Sequence, residues 1–301
     1  MTTILTVNAG STSLKLHLVE DDSSRSVDGY EAAEAVGHRV VHGGKRFVQP
    51  TLIDDDVISG IDALSPLAPL HNVPALTAIR DARAALPDIP HVAVFDTAFH
   101  ASLPAEAATY AVPRKWREDW GVRRYGFHGI AVEWVSSQVQ VARLVVCHLG
   151  GGCSVTAVRD GRSVDTTMGF SPLEGVPMAT RSGSIDPAVL PFLVREHGLS
   201  LGDIESELEN ESGLAALGGL DDELGFGVYT YRIAAATAQM AMALGGIDVL
   251  AFSGGVGENR EDVRAAIAER LAFLGEFQLE VVPAREELVI ARAVLRLVFK
   301  A

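Results

Sequence analysis

The sequence predicts an α/β protein built from two similar halves. A unit of apolar strand, small-residue turn and second strand occurs twice. First, Ile4-Leu5-Thr6-Val7 enters Asn8-Ala9-Gly10-Ser11-Thr12-Ser13 and leaves through Leu14-Lys15-Leu16-His17-Leu18. Later, Leu144-Val145-Val146-Cys147 enters His148-Leu149-Gly150-Gly151-Gly152-Cys153-Ser154 and leaves through Val155-Thr156-Ala157-Val158. Between and after these units, strand-like and helix-like stretches alternate, which is the α/β signature. With 301 residues, 48% of them hydrophobic, the chain can fill two sizeable cores.

The elements follow in order. Residues 21–35 are polar and acidic and read as a surface connection. Residues 36–41 read as a strand ending in His42-Gly43-Gly44. Residues 67–74, with Pro69 and Pro74, read as a loop before an Ala-rich helix over 75–85. A short buried strand over 91–95 leads to Asp96, and residues 131–142 look helical. The polar, Gly- and Pro-rich stretch 165–187 is long for a loop; loops of that length are usually functional or disordered, and its aromatic and apolar content argues against disorder. Helices are expected near 188–197, 203–210 and 228–244. A strand over 249–252 enters the glycine-rich turn 253–259, followed by a helix over 260–271, a strand over 280–282 and a last helix over 286–296. The seam falls near 96–98, which divides the chain into 1–97 plus 288–301 and 98–287.

Composition excludes several classes. The net charge is −14 and no block of Lys or Arg stands out, so a nucleic-acid partner is not expected. No stretch reaches the roughly 18 apolar residues of a membrane helix, and no secretory signal pattern opens the chain. A soluble cytoplasmic protein is expected. The two cysteines, Cys147 and Cys153, form no metal-ligand or disulfide framework.

Several residues could carry chemistry. Small-residue turns bring backbone amides close to a ligand, which suits phosphate. The turn Ser253 to Asn259 sits between strand and helix, where free amides and the helix dipole favour anions; an ordinary turn fits equally well. Lys15 could reach a terminal phosphate. Asp96 ends a strand, as a ligand-crevice carboxylate would, though a helix N-cap reads the same way. Arg39 lies inside an apolar strand, where an unpaired charge is costly. Arg181 is a second candidate anion clamp, or a loop arginine paired to Asp186. His128 is a candidate donor to a transferring group, or a structural histidine. Glu286 and Glu287 open the last helix, where they suit its dipole; one of them could hold magnesium, which takes few carboxylates plus phosphate oxygens.

Taken together and in order, these segments resemble the acetate kinase (acetate/propionate kinase) family. The carrying residues are Asn8-Ala9-Gly10-Ser11-Thr12-Ser13-Leu14-Lys15, Gly37-His38-Arg39-Val40-Val41-His42-Gly43-Gly44, Ala68-Pro69-Leu70-His71-Asn72, Val94-Phe95-Asp96-Thr97-Ala98-Phe99-His100, Arg124-Tyr125-Gly126-Phe127-His128-Gly129, the stretch 163–187, the turn 254–259, and Glu286-Glu287-Leu288-Val289-Ile290-Ala291. The resemblance implies the duplicated two-domain fold of actin, sugar kinases and Hsp70. It implies reversible, ATP-dependent phosphorylation of acetate or propionate to an acyl phosphate, with magnesium (or manganese), by a homodimer. By motif, Asp96, His128 and Arg181 would be catalytic. Arg39 would bind the carboxylate, with Val41, Leu70, Phe127 and Pro172 forming the acyl pocket. Lys15, His148, Leu149, Gly150, Gly151, Gly152, Gly255, Val256, Gly257, Glu258 and Asn259 would bind nucleotide. Asn8 and Glu286 would serve the metal. Asp96 is expected to position magnesium or an arginine, because a carboxylate nucleophile is already ionised at neutral pH and needs little base help.

The chain departs from the family pattern in places. It is shorter than family members usually are. Gly151 stands where the family carries Asn, Ser184 where it carries Asp, and Asp221-Asp222-Glu223 replaces an adenine-side Asp-x-Arg. Other readings are therefore a kinase of the same fold with another carboxylate or a pyrophosphate donor, and a degenerate nucleotide-binding protein.

Overall fold

In the computed structural model, which describes residues 2–10 and 14–299 apart from the side chains of Pro69 and Leu70, the apolar runs form two sheets. The first contains β1 (Thr3–Ala9), β2 (Leu14–Glu20), β3 (Ser23–Val27), β4 (Ala35–Val40), β5 (Thr51–Leu52) and β6 (His91–Phe95), in the order β3-β2-β1-β4-β6-β5. The second contains β7 (Arg143–Leu149), β8 (Cys153–Arg159), β9 (Arg162–Thr166), β10 (Val249–Ser253) and β11 (Gln278–Val281), in the order β11-β10-β7-β8-β9.

The two sheets have one plan. In each, three successive strands form an antiparallel meander, and two later strands add parallel to the first strand's far side. Among the described residues, only the short edge strand β5, antiparallel to β6, lacks a counterpart. The duplication expected from the two turns is thus present in strand order and direction.

The chain folds as two compact units. One comprises Met1–Ala101, Phe127–Trp134 and Arg285–Ala301; the other comprises Ser102–Gly126 and Val135–Ala284. The segment 127–134, assigned by the sequence reading to the second half, packs with the first. In the first unit, the helix Pro69–Ala85 covers one sheet face, with Leu76 and Ile79 against Val40 and Phe95. The helix Glu286–Val294 covers the other. Gly37 makes this possible, because a β-carbon there would lie only 2.8 Å from the Val294 side chain. In the second unit, the helix Glu223–Leu244 starts where the Asp222 side chain accepts from the amides of Leu224 and Gly225, and stops at left-handed Gly245.

Some elements differ from the sequence reading. The helix over the first sheet begins at Pro69, not near 75. Pro69 occupies the first helical position, where a missing amide costs nothing, and Pro74 falls in the second turn. The polar connection 21–35 contains β3, an exposed edge strand paired through its backbone. The glycine turn after Ser253 is itself a short helix, Gly254–Asn259. Among the described residues, no helix is long and apolar enough to cross a membrane.

Candidate active site

Four side chains of the first unit form one hydrogen-bonded chain. Arg39 stands at the carboxyl end of β4, beside Asn8 of β1, its register partner. Asp96 follows β6, and its amide donates to the Val40 carbonyl at 3.0 Å. Arg39 Nε donates to Asp96 Oδ2 at 3.0 Å, and Nη2 donates to the same oxygen. Arg39 Nη1 donates to Asn8 Oδ1 at 3.0 Å, and Asn8 Nδ2 donates to Glu286 Oε2 at 2.9 Å. Parallel strands ending at one sheet edge bring the first three together, and the start of the last helix adds Glu286.

The electrostatics are unbalanced. Asp96 is fully buried, and burial raises its carboxyl. The Arg39 guanidinium and its hydrogen bonds oppose that rise, while Glu286 adds to it. Asp96 Oδ1 accepts no hydrogen bond of ordinary geometry, although the Ile130 amide favours the anion. Arg39 remains protonated; burial works against its charge, but Asp96 and Glu286 outweigh it. Its guanidinium has five N–H donors, three of them engaged, which leaves two for a ligand. Two carboxylates against one cation, with a buried unsatisfied oxygen, suit a hard divalent ion. Among the described residues, no group of three or more His, Cys, Asp or Glu could hold a metal by protein ligands alone. That is compatible with magnesium, which keeps water and phosphate oxygens in its shell.

The segment after Gly126 is fixed to Asp96. Gly129 donates its amide to the Asp96 carbonyl at 2.9 Å, and a β-carbon at 129 would overlap that oxygen. His128, just before it, has a φ of 59°, uncommon for a residue with a side chain. Strain of this kind collects at functional sites. Phe127 and Val41 are buried in the same unit. Leu70 belongs to the Pro69–Ala85 helix, but its side chain lies outside the described residues.

The second unit carries the glycine loops. The turn from β7 to β8 closes with the Gly150 amide donating to the Gly152 carbonyl at 3.0 Å. A β-carbon at Gly151 would meet nothing within 4 Å. Gly254, with a φ of 79°, lies against the Leu149 carbonyl, where a β-carbon would come to 2.7 Å. The two glycine segments therefore lie side by side. Glu258 Oε1 accepts from the amides of Gly254 and Ala284, both at 3.0 Å, so this carboxylate braces the turn. Asn259 donates to the Gly255 carbonyl at 2.8 Å. Ser253 Oγ, immediately before the turn, is buried without a hydrogen-bond partner. His148 pairs in register with Ser253, and Gly255 is exposed.

Arg181 belongs to this unit too. Its carbonyl accepts from Met178 at 3.0 Å, and Ala179 donates to the Gly151 carbonyl at 3.2 Å. The arginine loop is thus tied to the triple-glycine turn. Pro172 is buried in the same unit. Lys15 is exposed on β2, in register with Asn8. The turn residues Ser11, Thr12 and Ser13 lie outside the described residues. Sequence reasoning missed the bracing role of Glu258, whose partners Gly254 and Ala284 no local pattern connects.

Two sheets of one plan, each an antiparallel meander extended by parallel strands, together with glycine turns at strand ends and an arginine–carboxylate cluster, fit a phosphotransferase of duplicated α/β fold. The description of the acetokinase family matches residues 26–292, and the chain belongs to that family. It is 47% identical over 275 residues to an acetate kinase of Deinococcus deserti, covering 83% of this chain and 68% of that relative. It is 37% identical to an acetate kinase of Halothermothrix orenii, covering 95% of this chain and 83% of that relative. A propionate kinase structure from Francisella tularensis superposes with a TM-score of 0.91 at 32% identity, covering 97% of this chain and 99% of that one. The Porphyromonas gingivalis acetate kinase structure gives 0.88 at 29% identity, covering 97% and 98%.

Proposed function

We propose that this chain transfers the γ-phosphoryl group of ATP reversibly to the carboxylate of acetate or propionate. The observation that carries the reading is the Arg39 fork, held by Asp96 and Asn8 with two N–H donors to spare. A short carboxylate is matched by a guanidinium edge. One carboxylate oxygen attacks the γ-phosphorus, the bond to the β–γ bridging oxygen breaks, and ADP leaves with that oxygen. Both reactants are anions, so the protein's task is alignment and charge neutralisation.

Each residue has a part in this reading. Arg39 orients the acceptor. Asp96 holds Arg39 and offers Oδ1 to a cation. Asn8, Glu286 and Asp96 would hold magnesium, which would neutralise phosphate charge when bound. By family motif, His128 and Arg181 serve the transferring phosphoryl group, and Val41, Phe127 and Pro172 the acyl chain. By family motif, Lys15 and the glycine segments 150–152 and 254–259 serve the nucleotide. Family membership also supports a homodimer and a cytoplasmic setting. Exposed Val189, Phe192, Val194 and Leu201 in the second unit suit a covered surface.

The test is acyl-hydroxamate formation from acetate, propionate and butyrate with ATP and magnesium, repeated with GTP and pyrophosphate. Product with ATP and the shorter acids is expected. Turnover with pyrophosphate alone would replace the donor, and none with any donor would overturn the reading.

A further inference from the structure

A second polar cluster, wholly inside the second unit, surrounds Arg124. The side chain is only 16% exposed. Its Nη1 donates to the carbonyls of Thr166, Thr167 and Met168 at 2.9, 2.8 and 3.2 Å. Its Nη2 donates to Glu174 Oε1 at 2.8 Å. Its guanidinium carbon lies 5.6 Å from the centre of the Tyr110 ring. The Tyr110 hydroxyl donates to Glu174 Oε2 and accepts the Phe170 amide at 2.9 Å. The Gly169 carbonyl accepts from the amides of Tyr125 and Gly126, at 3.0 and 3.3 Å. A β-carbon at Gly169 would collide with both the Glu174 carboxylate and the Tyr110 hydroxyl.

The loop 166–174 is therefore wound around one guanidinium and joined to 124–126 by two more backbone bonds. The loop holds Pro172, two residues from Glu174. The segment 124–126 runs directly into Phe127 and His128. Three consecutive carbonyls on one side of Arg124 do not neutralise it, and Glu174 is the carboxylate that pairs with it. Such a connected, part-buried network favours one conformation over several.

We propose that Tyr110, Glu174 and Arg124 form a positioning clamp that fixes the chain entering Phe127 and His128 and the loop carrying Pro172, and so governs acyl-chain preference without touching substrate. This rests on the carboxylate-kinase reading above. Tyr110→Phe is the mild probe, since it keeps the ring under Arg124 and removes only the hydroxyl that joins Phe170 to Glu174. Glu174→Gln removes the charge that answers Arg124.

The experiment joins two measurements on the full chain. Hydrogen exchange is followed in peptides covering 124–126 and 166–174, and hydroxamate kinetics are run with acetate, propionate and butyrate. Both variants should exchange faster in those peptides and nowhere else. Each should lose roughly ten- to a hundredfold in kcat/KM for acetate, as a displaced positioning residue does. The propionate-to-acetate ratio should shift, while the KM for ATP stays within about twofold. The double variant should fall well short of the product of the single effects, because the two residues share one network. Unchanged exchange in both variants overturns the clamp. Faster exchange with an unaltered acyl profile overturns its role in specificity. A wild type that forms no acyl phosphate overturns the acceptor role together with the kinase reading, and the exchange data still decide whether the clamp exists.

Discussion

The amide of Gly129 donates to the main-chain carbonyl of Asp96 at 2.9 Å, with no room for a β-carbon between them. The residue before Gly129 is His128, held at a φ of 59°. Thus the backbone of the carboxylate at the end of β6 sets the place of the histidine. Gly129→Ala should destabilise the protein by about 1–3 kcal/mol, the usual cost of overpacking. It should also lower kcat more than it raises either KM. Denaturant unfolding alongside steady-state kinetics checks both parts; a variant of wild-type stability and turnover would show that the close approach has no consequence.

Buried histidines give the protein an acid limit. His38 Nε2 lies 3.0 Å from His91 Nδ1, and His91 Nε2 lies 2.9 Å from the Leu86 carbonyl. The carbonyl fixes the proton on His91 Nε2, so His38 donates from Nε2 and its buried Nδ1 has no partner. Burial, helped by His91, pulls His38 down to about 3, and burial pulls His42 and His100 down to about 4. Groups with lowered folded values bind fewer protons than the unfolded chain below their unperturbed value near 6.5. Their contribution is complete above that pH and is lost as pH falls towards 4 and 3. Each should remove about 1.4 kcal/mol of stability per pH unit in that window. Unfolding free energies at pH 7.5, 6.0 and 5.0 should show this, with a slope shallower by one proton in His38→Asn. An equal slope in that variant would remove His38 from the account.

The open space at Gly151 is a donor-side prediction. Its β-carbon would meet nothing within 4 Å, and its backbone avoids the left-handed region. Gly151→Asn should leave stability within about 0.5 kcal/mol, as an exposed substitution does. It should lower the KM for ATP by about fivefold, the worth of one hydrogen bond. A raised KM would mean that the side chain obstructs the nucleotide.

Glu286 and Asn8 share the hydrogen bond that closes the acidic cluster. If they serve a metal, Glu286→Gln should raise the magnesium concentration for half-maximal rate at least roughly tenfold. Saturating magnesium should restore much of the activity. A loss of rate indifferent to magnesium would assign Glu286 to holding Asn8 and Arg39 alone.

Much of this was legible in the chain. Apolar runs ending in small residues marked β1, β4, β6, β7 and β10, and the strand ends carry Asn8, Arg39 and Asp96. What was not legible depends on distant partners. β3 is polar on an exposed edge and pairs through its backbone, so no alternation announces it. β5 has two residues. Pro69 and Pro74 disguised a helix as a loop. The attachment of 127–134 to the first unit rests on contacts such as that of Gly129 with Asp96, which no local pattern encodes. The Tyr110–Glu174–Arg124 cluster joins residues as far as 64 positions apart. Asp96 and Arg39 could be nominated singly, but their shared oxygen and the unsatisfied Oδ1 emerge only from the fold.

The central claim is that Arg39 receives the carboxylate acceptor. The most direct measurement is the rate of hydroxamate formation from acetate and ATP by the wild type, Arg39→Ala and Arg39→Lys, with KM determined for each substrate. Loss of the fork in either variant should lower kcat/KM for acetate by roughly 100- to 1,000-fold, the cost of removing an aimed donor set, with the KM for ATP within about threefold. Wild-type acetate kinetics in Arg39→Ala, or a defect confined to ATP, would contradict the account.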